Sequence, residues 1–197
     1  MRTSLIAAIV TSAALTLAGC SSSEPEPTPT PATPTAAVPK GFDVPAGVTI
    51  TEGGTKLAVG APATVVYEPG DRGTSAVTVT VAEVKQGSMK DFRFFSLDEQ
   101  TKKSTPYYVR ATVKNDGPAG LGGAALPLYA LDSSNTNLPA NEIVGTFKPC
   151  PSPTLPASFL PGATADVCLV YLVPEGRTVT SVSLQTGTTQ DAIAWTP

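Results

Sequence analysis

The sequence contains no histidine. That absence removes Ser-His-Asp and Cys-His catalysis, histidine general bases, and the usual zinc and copper sites together. Charge is scarce as well. Asp, Glu, Lys and Arg make up 15% of the 197 residues, and the net charge of −3 leaves no basic excess to hold a phosphate backbone or anionic lipid head groups. No nucleic-acid partner and no cofactor are expected. Lys and Glu, the staples of exposed helices, are thin, and no long stretch keeps a helical period. What the chain has in quantity is 20 Pro and 17 Gly, with Val and Thr beside them, a strand-and-turn composition.

The N-terminus has a different character. Arg2 precedes the apolar run SLIAAIVTSAALTLA (Ser4 to Ala18), which is short for a membrane-spanning helix and ends in small residues before Cys20. The four residues Leu17, Ala18, Gly19 and Cys20 resemble the lipobox of bacterial lipoproteins. The resemblance implies diacylglyceryl transfer to the Cys20 thiol, cleavage before it, and acylation (palmitate, for example) of the new amino group. It thus implies a membrane partner, with the chain held by lipid on the outer face of the cell membrane. An ordinary signal peptide with a chance cysteine, or an uncleaved anchor, is the alternative reading. Residues 1–19 are then the signal segment and residues 20–45 a disordered tether. Its Ser, Glu, Pro, Thr and Ala have almost nothing to bury, and alternating Pro favours an extended chain of about 3.1 Å per residue. Thr28, Thr30, Thr33 and Thr35 permit O-glycosylation, and a bare spacer fits equally well.

Residues 46–197 read as one all-β domain. In SAVTVTVAEV (Ser75 to Val84), Val77, Val79 and Val81 share a face, with Thr78 and Thr80 on the other. In PYYVRATVKN (Pro106 to Asn115), Tyr107, Val109, Ala111 and Val113 face inward against Tyr108, Arg110, Thr112 and Lys114. ADVCLVYLVP (Ala165 to Pro174) is apolar on both faces, which predicts a central strand. Gly, Pro, Asn and Asp clusters divide these runs, and about seven to nine short strands at this spacing predict an antiparallel β-sandwich, with a closed barrel as the alternative. If Cys20 carries lipid, the remaining Cys150 and Cys168 can pair in one way only. In an oxidising compartment they predict a disulfide holding the Pro-rich loop after Cys150 to a strand. A redox or metal-binding pair would want closer spacing or further ligands.

The order TPYYVRATVKNDG, LPLYALDSSNTNL, LPG and YLVPEG resembles immunoglobulin-like, telokin-like domains of unknown function in secreted lipoproteins of Gram-positive bacteria, actinobacteria especially. The resemblance implies an immunoglobulin-like fold in the cell envelope and brings no catalytic residues with it. The residues themselves offer little chemistry. Asp98 and Glu99 are adjacent carboxylates with no partner in sequence, and DSSNTN (Asp132 to Asn137) reads as a hairpin turn sooner than a calcium loop. GPAGLGGAALP (Gly117 to Pro127) matches no phosphate-binding fingerprint, since no Lys-Ser/Thr follows it, and reads as a mobile inter-strand loop or an adaptable contact surface. DFRFF (Asp91 to Phe95) is the most apolar cluster. Taken as a strand it puts Phe92 and Phe94 on one face and Phe95 on the other, either as core and edge packing or, with Tyr108, as a partner-binding patch.

The expected function is a non-catalytic surface module binding a protein or a cell-wall polymer, with no metal site and no catalytic residue. A carrier for a small apolar ligand, and a hydrolase using carboxylates alone, are the alternatives.

Overall fold

The computed structural model describes residues 38–187 and 189–197. Cys20, the lipobox and the tether up to residue 37 lie outside the described residues. The described residues form nine strands: β1 Lys56–Ala58, β2 Pro62–Tyr67, β3 Ser75–Gln86, β4 Thr105–Asn115, β5 Leu128–Asp132, β6 Asn137–Pro139, β7 Thr164–Val173, β8 Val179–Leu184 and β9 Ile193–Thr196. They form two sheets, β1-β9-β8-β5-β6 and β2-β3-β4-β7. A sandwich is therefore correct and a closed barrel is not. All pairings are antiparallel except that of β1 with β9, which is parallel.

Valine alternation builds the interior. Val77, Val79 and Val81 of β3 and Tyr107, Val109, Ala111 and Val113 of β4 are buried between the sheets, as their spacing predicts. Opposite them lie Leu128, Ala130, Val182, Leu184, Ile193 and Trp195. Three polar tips reach carbonyl groups: from the core, Tyr171 Oη donates to Leu128 O at 2.8 Å and Trp195 Nε1 to Ala61 O at 2.8 Å, and from its margin, Tyr67 Oη donates to Ala125 O. Each tip is satisfied without water, and the Tyr171 and Leu128 pair joins the two sheets across the core. Ala82 is the extra residue of a bulge in β3, where Val81 pairs with Ala111 and Glu83 with Arg110.

Two expectations are corrected here. The glycine-rich segment 117–127 is not a loose loop: Leu121, Ala124 and Leu126 are buried in the main core. Its backbone is tied to the 155–159 stretch by Leu121 N to Phe159 O and Gly123 N to Pro156 O. At Gly122 a Cβ would collide with the Ala157 carbonyl, so glycine there permits the close approach. The second correction concerns β7, which pairs with β4 alone and is an edge strand. Its outward face is apolar for a different reason: Cys168, Val170 and Leu172 belong to a second core.

The DSSNTN stretch is the β5–β6 hairpin turn, with Asn135 in the left-handed region at φ 61°. Asp132 is fully buried at its base. Burial alone would raise its pKa. Hydrogen bonds from Thr136 N, Ser134 Oγ, Arg177 and Ser134 N more than reverse that and hold it well below the ordinary carboxylate range. Because the folded-state value is depressed, the stabilisation is present above the unfolded value of about 3.9 and is lost as pH falls below it. Asp132→Asn should therefore lower the urea midpoint near neutral pH and flatten its decline on acidification below about pH 4, measured by tryptophan fluorescence.

Candidate functional site

The second core lies on the outer face of the β4–β7 pair. Phe92, Tyr108, Phe147, Cys150, Cys168 and Val170 are buried there, with Met89, Phe95, Leu97, Ile143 and Leu172 packed around them. Two segments supply its lid. The first is a 3-10 turn at Met89–Phe92, opened by Ser88, whose Oγ accepts from Lys90 N at 3.2 Å while Asp91 Oδ2 accepts from Ser88 N at 3.3 Å. Phe95 N then donates to Phe92 O at 2.8 Å, continuing the helical sense. In a turn of this kind residues three apart share a face, so Phe92 and Phe95 point inward and Phe94 points out.

The second lid segment is 141–152, which runs along the free edge of β7. Asn141 N donates to Val170 O at 2.7 Å, Asn141 Oδ1 accepts from Leu172 N at 2.8 Å, and Cys168 N donates to Ser152 O at 2.7 Å. These bonds cover strand groups that would otherwise be open to edge pairing. The disulfide Cys150–Cys168 fastens the segment to β7, and Arg110 Nη2 donates to Pro149 O at 2.8 Å. Phe147 anchors the middle, with ring centroids 4.6 Å from Phe92, 5.7 Å from Tyr108 and 5.8 Å from Phe95. Tyr108 Oη donates to Asp91 Oδ2 at 2.8 Å, linking strand and turn. Burial first, and then this carboxylate, push the Tyr108 phenol far above its ordinary pKa, so it remains a donor.

The patch read as Phe92, Phe94, Phe95 and Tyr108 is therefore divided. Phe92 and Tyr108 are core residues, Phe95 is half-buried against them, and Phe94 alone is offered to solvent, 83% exposed. The sequence misses a second residue, Val144, which stands 92% exposed at the crest of the 141–152 segment. Gly145, at φ 93°, turns the chain beside it. Phe94 and Val144 line one hollow of about 560 Å³, floored by Phe95 and Phe147 and bordered by Arg93, Lys148 and Asp91. The Arg93 guanidinium lies 4.4 Å from the Phe94 ring centroid. On the far side of the same crest, Ile143, Val144 and Phe147 border a second hollow of about 430 Å³, reaching Leu126, Leu128 and Leu169.

A third hollow, open and of about 900 Å³, is lined by the carboxylates Asp98, Glu99 and Glu175. Asp98 accepts from Thr101 Oγ1 at 2.6 Å, Thr101 N at 2.8 Å and Gln100 N at 2.9 Å, and the Thr101 hydroxyl leads in holding it below its usual pKa. That keeps the carboxylate ionised, the reverse of what a general acid requires. Glu99 pairs with Lys102 at 2.6 Å. Among the described residues no group of three Cys, Asp or Glu side chains converges as a metal site, and no helix is long and apolar enough to cross a membrane.

No protein family and no curated protein matches the chain. Among solved structures it is similar to MPT63, a secreted protein from Mycobacterium tuberculosis, at 15% identity and a TM-score of 0.50, covering 72% of this chain and 96% of that one. At such identity the likeness speaks to fold, and with the two sheets above it makes the body an immunoglobulin-like β-sandwich.

Proposed function

We propose that this chain is an extracytoplasmic lipoprotein whose immunoglobulin-like domain is a non-catalytic binding module. In this reading lipid on Cys20 holds it at the outer face of the cell membrane, and the Pro/Thr tether gives it reach. It engages a protein or wall polymer through the face built over the second core. The observation that carries the proposal is the pair Phe94 and Val144, two large apolar side chains left exposed beside packed aromatic rings. The secreted nature of the MPT63 neighbour supports the extracytoplasmic placement, and the disulfide suits an oxidising space.

A photoreactive phenylalanine analogue placed at position 94 or 144 of the full chain tests the face in intact producing cells. Discrete adducts from both positions, absent when the probe replaces exposed Lys56 on β1, are expected. No adduct at 94 and 144, or the same ladder at all three positions, contradicts the reading. Anchoring has its own test. Cys20→Ser should release the chain into the medium or leave an unprocessed precursor, and processed, membrane-bound material would defeat it.

A second reading, a carrier of a small apolar molecule, draws support from the 430 Å³ hollow, whose size and lining suit such a ligand. A stoichiometric extra mass carried through purification, seen by native mass spectrometry, would favour it.

A further inference from the structure

We infer that the hollow between Phe94 and Val144 receives a protein segment in which an apolar side chain stands beside a carboxylate. This rests on the reading of that face as the binding surface and adds the chemistry of its partner. Shape is the first ground. Phe94 and Val144 come from different segments and flank a concavity of about 560 Å³, which admits a projecting side chain. Burying an apolar group there would cover two side chains that are otherwise in water.

Charge is the second ground. The chain carries a net −3, yet the charged residues lining this hollow are two cations, Arg93 and Lys148, against one carboxylate, Asp91. Asp91 Oδ2 already accepts from Tyr108 Oη and Ser88 N. Among the described residues neither Arg93 nor Lys148 has a carboxylate within 4.0 Å. Arg93 is already laid against the Phe94 ring, so a cation and an apolar surface are presented side by side. A segment carrying an apolar side chain and an adjacent Asp or Glu satisfies both at once.

The floor is the third. Its rings are packed on one another, and the stretch just after Phe147 and Lys148 is fastened to β7 by the disulfide at Cys150, so the floor need not be built on binding. An anionic membrane fits less well. Insertion into lipid wants a protruding apolar tip on a basic surface, whereas here the apolar groups bracket a hollow that includes a carboxylate on an acidic chain.

The test is selection of a random linear peptide library on the folded chain, followed by titration of synthetic peptides made from the consensus. An apolar residue next to Asp or Glu should emerge. Phe94→Ala should abolish binding, and Arg93→Gln with Lys148→Gln should weaken it by about tenfold and remove most of its salt dependence. Lys40→Gln should change nothing. A consensus without acidic residues, or indifference to the paired Gln variant, overturns the partner chemistry while loss of binding in Phe94→Ala keeps the face. Peptides that bind Phe94→Ala as tightly as wild type overturn both. Failure to select peptides, with Phe94-dependent retention on phosphatidylglycerol vesicles instead, overturns the proposal in favour of a lipid surface.

Discussion

Phe147→Ala should cost about 3–5 kcal/mol, the range for emptying a buried phenylalanine site, and roughly 6–20 °C of Tm for a domain of this size. The size of the effect follows from position. Phe147 is 3% exposed and touches the rings of Phe92, Phe95 and Tyr108, so removing it takes the keystone from the second core. It also floors both hollows, which means stability and binding should fall together. Phe94→Ala is the control. With its ring 83% exposed, that variant should stay within about 0.5 kcal/mol of wild type in urea titration while losing photoadducts and peptide binding. Equal destabilisation by the two variants would refute the division between them.

Removal of the disulfide by Cys150→Ala with Cys168→Ala should lower stability by about 3 kcal/mol in the chain-entropy account of a loop near this length. The two cysteines lie 18 residues apart and both sulfurs sit in the second core, so the pair shapes the folded state as well as the unfolded one. Hydrogen exchange separates the two contributions. Faster exchange confined to the amides of Asn141, Leu172 and Cys168 shows local release of the crest from β7, where those N–H groups are engaged. Uniform acceleration across both sheets shows a global loss with the crest still seated. Phe147→Ala and the cysteine pair act on the same segment, so their combined effect should fall short of the sum. An unchanged denaturation midpoint in the cysteine-free variant would contradict the role given to the bridge.

The main core was legible because its strands carry β-branched residues at a strict period of two. Val77, Val79 and Val81 could face only one way, and the inward set of β4 followed from the same rule. The second core was harder to see. An apolar run on both faces, as in β7, signals cover on both sides but does not say whether the cover is a neighbouring strand or a loop. Here the edge is covered by Asn141 and Ser152, residues with no apolar signature of their own. Period two, the strand period, fits DFRFF as a sequence, but the chain uses period three there. The signal was present in Ser88 and Asp91, a capping pair three residues apart ahead of the rings. Val144 gave no signal at all: its exposure depends on Gly145 and on two lid segments from distant parts of the chain meeting over Tyr108.

The aromatic stretch is split, with Phe92 sealed beneath the lid and Phe94 open to solvent. Fluorine NMR of fluorophenylalanine-labelled protein, with a water-soluble paramagnetic agent added, tests this division most directly. Assigned by single Phe→Leu variants, the Phe94 resonance should broaden strongly while those of Phe92, Phe147 and Phe159, each no more than 3% exposed, stay sharp. Comparable broadening of Phe92 and Phe94 would contradict the account.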